Sequence, residues 1–185
     1  MVNDLRMSSE LNILHLSDLH FGVKKIKGIT KKSIDKRNLF LAGLLNNLEK
    51  VINKHHTWKP DVIAISGDIA WSGKKEEYEH ASIWLKSLLK KLKLKRNQLI
   101  MCPGNHDLDR ETAKDYCRPK DYNHADEILT KRITTYSKPF NEYQSFCNDM
   151  KIKKFSFNAA KSFLIGFRKD IAEGFYFIIL NSAWF

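Results

Sequence analysis

The 185 residues suffice for one domain with a real core, and 43% of them are hydrophobic, the ordinary share for a globular protein. No apolar run is long enough to span a membrane, residues 1–10 lack a signal-peptide core, and Cys102, Cys117 and Cys147 are an odd set without metal-type spacing, so membrane and disulfide-stapled classes are excluded and a cytoplasmic protein is predicted. The net charge of +11 can draw phosphate-rich partners at long range, although in a small domain it is more often a solvated basic surface.

Residues 12–17 (Asn-Ile-Leu-His-Leu-Ser) read as a buried strand. Residues 21–33 follow as a basic loop with Lys24, Lys25, Lys27, Lys31 and Lys32, and Asp35 is placed to cap the next helix. That helix carries Leu39, Phe40, Leu44, Leu45, Leu48, Val51 and Ile52 at helical spacing. It ends near His55 and His56, and Pro60 blocks continuation. Residues 61–66 read as a second strand, a nearly unbroken apolar run of the kind covered on both faces in parallel sheets. After a loop at 70–73, an amphipathic helix is predicted over Lys75–Leu92, with Tyr78, Ala81, Trp84, Leu85, Leu88 and Leu89 inward. Lys86, Lys90, Lys91, Lys93, Lys95 and Arg96 crowd its outer face and end, where cations suit the helix dipole. Leu99–Cys102 is the third strand, and Pro103-Gly104 turns the chain out of it.

This β-α-β-α-β order predicts an α/β fold with a parallel sheet and right-handed crossovers, the whole chain forming a single domain. Residues 111–160 read as a helical insertion over the sheet edge, with helices at 124–136 and 139–151. Residues 162–167 and 174–180 read as a hairpin.

Three motifs stand where the strands end: Asp18-Leu19-His20, Gly67-Asp68 and Gly104-Asn105-His106-Asp107. That edge of an open α/β sheet is where ligands bind, and oxygen and imidazole donors gathered there suit Mn, Fe, Zn or a similar divalent ion. Asp18 and His20 are two residues apart, so both side chains can leave a strand end in one direction and reach one cation. Gly67 permits a tight turn before Asp68, whose two carboxylate oxygens can bridge two metals. Asn105 offers a neutral oxygen. His106 can face a substrate rather than a metal, with Asp107 holding the imidazole in its useful tautomer. Arg110 can clamp a phosphate bidentately, with a loop-anchoring salt bridge as the equal alternative. Trp71 and Tyr122 could stack on a base, though isolated aromatics more often pack. His15 reads as a packed strand residue, His55, His56 and His80 as surface residues, and His124 as part of the insertion. Turn and cap preferences explain each motif residue singly, but not all three motifs in order.

The pattern D-x-H, then G-D, then G-N-H-[DE], each after a strand, resembles the calcineurin-like metallophosphoesterase superfamily. The flanking residues 13–22 and 60–68 resemble it too; the likeness covers residues 12–110 well and 162–184 loosely. It implies a metallophosphoesterase-type β-sandwich flanked by helices, incomplete in this chain, with a dinuclear site at one edge. By that resemblance Asp18, His20 and Asp68 bind one divalent ion, and Asp68 and Asn105 a second. A metal-bridging hydroxide then attacks the phosphorus of a phosphate mono- or diester. His106 protonates the leaving oxygen or steadies the transition state, and Asp107 orients His106. Repair nucleases and cyclic-nucleotide phosphodiesterases of the superfamily share the first motif, so nucleotides and nucleic acids are candidate substrates, and the basic loop 24–32 could guide a polyanion. The family also supplies a later lone His and a G-H-x-H segment, whereas the last histidine here is His124. The expectation is a chain truncated at its C-terminal side. The alternatives are a split enzyme whose partner chain supplies the remaining ligands, and a non-catalytic metal- or phosphate-binding module.

Overall fold

The computed structural model describes residues 10–22, 31–55, 59–114, 120–131, 138–152, 165–168, 175–181 and 183. The lysines at 24, 25 and 27, together with His56 and Cys117, lie outside the described residues. Strands β1 (Ile13–Leu16), β2 (Val62–Ser66) and β3 (Leu99–Cys102) pair in parallel, with β2 in the middle. The register aligns Leu14, Ile63 and Leu99, and likewise Leu16, Ile65 and Met101. Because side chains alternate along a strand, these six share one face.

Parallel neighbours require long crossovers, supplied here by helices α1 (Lys31–Lys54) and α2 (Lys75–Leu92). The predicted inner face of α2, Tyr78, Ala81, Trp84, Leu85, Leu88 and Leu89, is buried, and together with Leu92 it joins Ile63, Ile65, Leu99 and Met101 in the core. Leu41 of α1 is buried in the same cluster, and its carbonyl accepts from Trp84 Nε1 at 3.0 Å. Beyond β3 come the short α3 (Arg110–Ala113), then α4 (Tyr122–Lys131) and α5 (Asn141–Asp149). α5 packs on α2 through Tyr143, Phe146 and Cys147, with Phe146 stacked on Tyr78 at 5.0 Å. Strands β4 (Ile165–Arg168) and β5 (Phe177–Leu180) form the expected antiparallel pair.

Three expectations change. Among the described residues β1 is paired on one side only and is not buried: Ile13 is 45% exposed, and His15 is exposed with its Nε2 2.7 Å from Ser66 Oγ. An apolar run reports strand propensity, but a strand paired on one side has less cover than β2. Helix α1 begins four residues before Asp35, which lies inside it and does not cap it. Lys31 and Lys32 are good helix formers and extend it. Finally, Leu39, Phe40 and Val51 are exposed, so the inward stripe of α1 is Leu41, Leu44, Leu45, Leu48 and Ile52.

Candidate metal centre

Three parallel strands end on one edge, so the three motifs meet there. The pairing of β1 with β2 also continues past the strands. His20 N donates to Asp68 O (2.8 Å), Phe21 N to Ile69 O (2.8 Å) and Trp71 N to Phe21 O (3.0 Å). Loop 17–21 is thereby laced to loop 67–71.

Within these loops Asp18 (φ 57°), His20 (φ 45°) and Asp68 (φ 54°) hold left-handed backbone. For a non-glycine residue such a conformation costs on the order of 1–3 kcal/mol and persists only where surroundings enforce it. Among the described residues only Lys93 and Lys151 share it, each just past a helix end, where it is common. Glycine is required where the loops meet. A Cβ on Gly104 would lie 2.6 Å from the Asp68 amide nitrogen and on its carboxylate, and one on Gly67 would lie 2.8 Å from Gly104 Cα.

That close approach sets the donors. His106 N donates to Asp68 Oδ1 at 3.0 Å. Asp68 Oδ2 lies 3.9 Å from His20 Nε2, which is 3.6 Å from Oδ1 of the largely exposed Asp18. The two imidazoles are turned by successive carbonyls of one loop: His20 Nδ1 faces Ala70 O (3.4 Å) and His106 Nδ1 faces Trp71 O (2.8 Å). A carbonyl only accepts, so these contacts favour the tautomer with the proton on Nδ1, which leaves Nε2 as the ring's open edge. Partners of this kind fix the tautomer and direction of metal-binding histidines. His20, Asp68 and His106 each bring a donor atom within 4.8 Å of the others. Two imidazoles and a carboxylate at this spacing fit a divalent first-row ion.

His106, read as facing a substrate, thus also lies in the donor group. Arg110 Nη2 is 3.3 Å from His106 Nε2, and Asn105 is exposed in the same turn. His124 lies outside the group, its Nδ1 accepting from Lys120 N at 3.1 Å. Tyr122 is exposed, whereas Trp71 packs on His20 and His106.

The expected contact of Asp107 with the His106 ring is corrected. The fully buried Asp107 carboxylate accepts from Ala70 N (2.8 Å), Gly104 N (2.9 Å), Ile69 N (3.1 Å) and the Tyr78 hydroxyl (3.1 Å). Burial pushes its carboxyl up to about 6, and these four hydrogen bonds oppose the rise. Asp107 therefore ties the Asp68 loop to the His106 loop, while the Trp71 carbonyl orients the imidazole.

Sequence reading missed the Trp71 carbonyl, the Tyr78 hydroxyl and Glu77. Buried Glu77 accepts from Ser72 N (2.8 Å), Ser72 Oγ (2.7 Å) and Lys74 N (3.2 Å), and so holds the chain just beyond Trp71. Its position in the first turn of α2, three residues after Lys74, was the available signal.

Among the described residues no helix is long and apolar enough to cross a membrane. The glycerophosphodiester phosphodiesterase GpdQ of Enterobacter lignolyticus (strain SCF1) is 32% identical over 107 residues, covering 58% of this chain and 33% of the relative. The chain thus spans about a third of that relative's length. The model of the calcineurin-like phosphoesterases matches residues 11–173, a span that holds all three motifs and the whole donor group. Such a match over most of the chain, on a parallel sheet with these donors at its edge, means that the chain belongs to the calcineurin-like phosphoesterase family.

Proposed function

We propose that the chain performs metal-dependent hydrolysis of phosphate esters, diesters above all, using two divalent ions (Mn, Fe, Zn or similar). The observation that carries this reading is the convergence of His20, Asp68 and His106 at the end of the parallel strands, two of them on left-handed backbone. Divalent ions in such a site lower the pKa of water and offset charge on the phosphoryl oxygens. Asp18, His20 and Asp68 hold the first ion; Asp68 and Asn105 hold the second. When His106 is doubly protonated, its Nε2–H passes a proton to the leaving oxygen. Arg110, beside that ring, takes a non-bridging phosphate oxygen. Asp107 acts through the backbone, keeping the two ligand loops together.

The relative's printed activity on a glycerophosphodiester supports a diester substrate. The charge of +11 favours anionic substrates, nucleotides and nucleic acids included. The segment 111–160 belongs in this reading as an insertion beside the metal edge. Cys102 and Cys147 are free thiols, which suits a reducing cytoplasm.

The test is Mn²⁺ titration calorimetry with phosphodiester hydrolysis on the same sample. Binding of two ions, with turnover lost in His106→Ala, is the expected result. Asp68→Asn is expected to weaken metal binding more than any other single change, and equal binding in that variant and the parent refutes a shared carboxylate. Weak binding of one ion without turnover would instead favour a binding module, or a site completed by a partner chain.

A further inference from the structure

His20, Trp71 and His106 form a closed triangle of rings. The centroid distances are 5.1 Å for His20–Trp71, 4.7 Å for Trp71–His106 and 4.6 Å for His20–His106. Two corners are the imidazoles of the donor group, and the third is an indole with no metal donor of its own. Trp71 meets His106 twice, through its carbonyl at Nδ1 and through its ring.

One hydrogen bond does not by itself hold an imidazole. The ring can still turn about Cβ–Cγ and present its other edge. A second contact, on the ring itself, removes that freedom. The indole meets the His20 ring as well, whose Nδ1 is 3.4 Å from Ala70 O. The indole can serve as a fixed wall because the chain is held on both sides of it. Trp71 N is bonded to Phe21 O, and Ser72 is bonded to buried Glu77 through both its amide and its hydroxyl. Trp71 is only half-buried and stands outside the hydrophobic core cluster, so packing of the core does not explain its position.

We propose that Trp71 is a positioning residue for both imidazoles, locking each with Nε2 turned into the donor group, His20 toward the ion and His106 toward the leaving oxygen beside it. The proposal deepens the phosphoesterase reading and rests on it for the ion. The experiment compares the parent chain with Trp71→Phe and Trp71→Ala. Long-range ¹H–¹⁵N spectra of the metal-free proteins read the histidine tautomers, and Mn²⁺ calorimetry reads affinity. The parent and Trp71→Phe are expected to show His106 as a single Nδ1–H tautomer. Trp71→Ala is expected to show mixed tautomers and to bind Mn²⁺ roughly 10–100-fold more weakly, the usual effect of losing an outer partner of a metal ligand. If Trp71→Ala lacks the parent's circular dichroism, Trp71→Leu, which keeps bulk without an aromatic ring, is read in its place. A single His106 tautomer in the truncated variant, or unchanged Mn²⁺ affinity, overturns the proposal. If the parent itself binds no Mn²⁺, the phosphoesterase reading fails, and the tautomer comparison alone still decides the role of Trp71.

Discussion

Tyr78 offers one hydroxyl to Asp107 at two points, the backbone carbonyl at 3.0 Å and carboxylate Oδ1 at 3.1 Å. This joins the buried face of α2 to the carboxylate that gathers the amides of Ile69, Ala70 and Gly104. Burial, and then the Asp107 charge, push the Tyr78 hydroxyl well above its ordinary range, so it stays a donor. Tyr78→Phe leaves a buried carboxylate one donor short. The expected loss is about 1–3 kcal/mol in urea unfolding, the range for a buried polar group left unpaired. Weaker Mn²⁺ binding should accompany it, because the clamped loops carry Asp68 and His106. A loss below about 0.5 kcal/mol, the size of an ordinary surface change, would mean that the three amides suffice.

Two glycine substitutions should move in opposite directions. Gly104→Ala drives a methyl group into the amide and carboxylate of Asp68, where backbone cannot yield cheaply. Metal binding should be lost, and the unfolding midpoint should drop sharply. Gly43 lies inside α1, and a Cβ there meets nothing within 4 Å. Gly43→Ala should stabilise by about 0.5–1 kcal/mol, since glycine is a poor helix former. Destabilisation by Gly43→Ala would count against the observed course of α1.

Periodicity made most of the scaffold readable in advance. The predicted bounds of α2 and β3 match the observed ones because an amphipathic stripe and a short apolar run are local signals. The motifs were readable because parallel strands must deliver their ends to one edge. What orients the histidines was not: Ala70 and Trp71 act through carbonyls, which every residue type possesses. The Asp107 assignment erred for a related reason. A carboxylate next to a histidine in sequence can turn inward when buried amides and a tyrosine hydroxyl await it, and only the tertiary packing decides that. The same holds for β1, whose apolar run does not reveal which neighbours cover it.

Lys74 carries a pH dependence at the start of α2. Its ammonium lies 2.8 Å from Asp109 and 2.9 Å from Glu111. Hydrogen bonding, to Asp109 first and Glu111 second, pushes it from 10.5 up to about 12 despite some burial. Burial would raise the Asp109 carboxyl, but bonds from Lys74, Thr112 and the Glu111 amide outweigh it and hold the carboxyl below its ordinary 3.8. The folded state thus binds the lysine proton more tightly, so that contribution is complete below 10.5 and lost as pH rises toward 12. The carboxylate contribution is present above 3.8 and lost as pH falls. Lys74 is 36% and Glu111 76% exposed, so water screens the group and Lys74→Met should cost at most about 1 kcal/mol at pH 7. Urea unfolding of both proteins should show that difference shrinking at acid pH. An undiminished difference would assign the effect to the packing of the lysine stem.

Asp18 separates stability from binding. Its backbone is left-handed at φ 57°, its side chain is 66% exposed, and Ser17 Oγ lies 2.5 Å from its Oδ2. Glycine adopts that φ without a Cβ penalty, so Asp18→Gly should raise the stability of the metal-free chain by about 1 kcal/mol. The same change removes a carboxylate 3.6 Å from His20 Nε2 and should weaken Mn²⁺ binding. Opposite signs in unfolding and calorimetry are the mark of a residue held in strain for its ligand, the trade expected at a functional site. A destabilised Asp18→Gly protein would mean instead that the carboxylate's own hydrogen bonds hold the turn, and that β1 ends in this conformation whether or not an ion is to be bound.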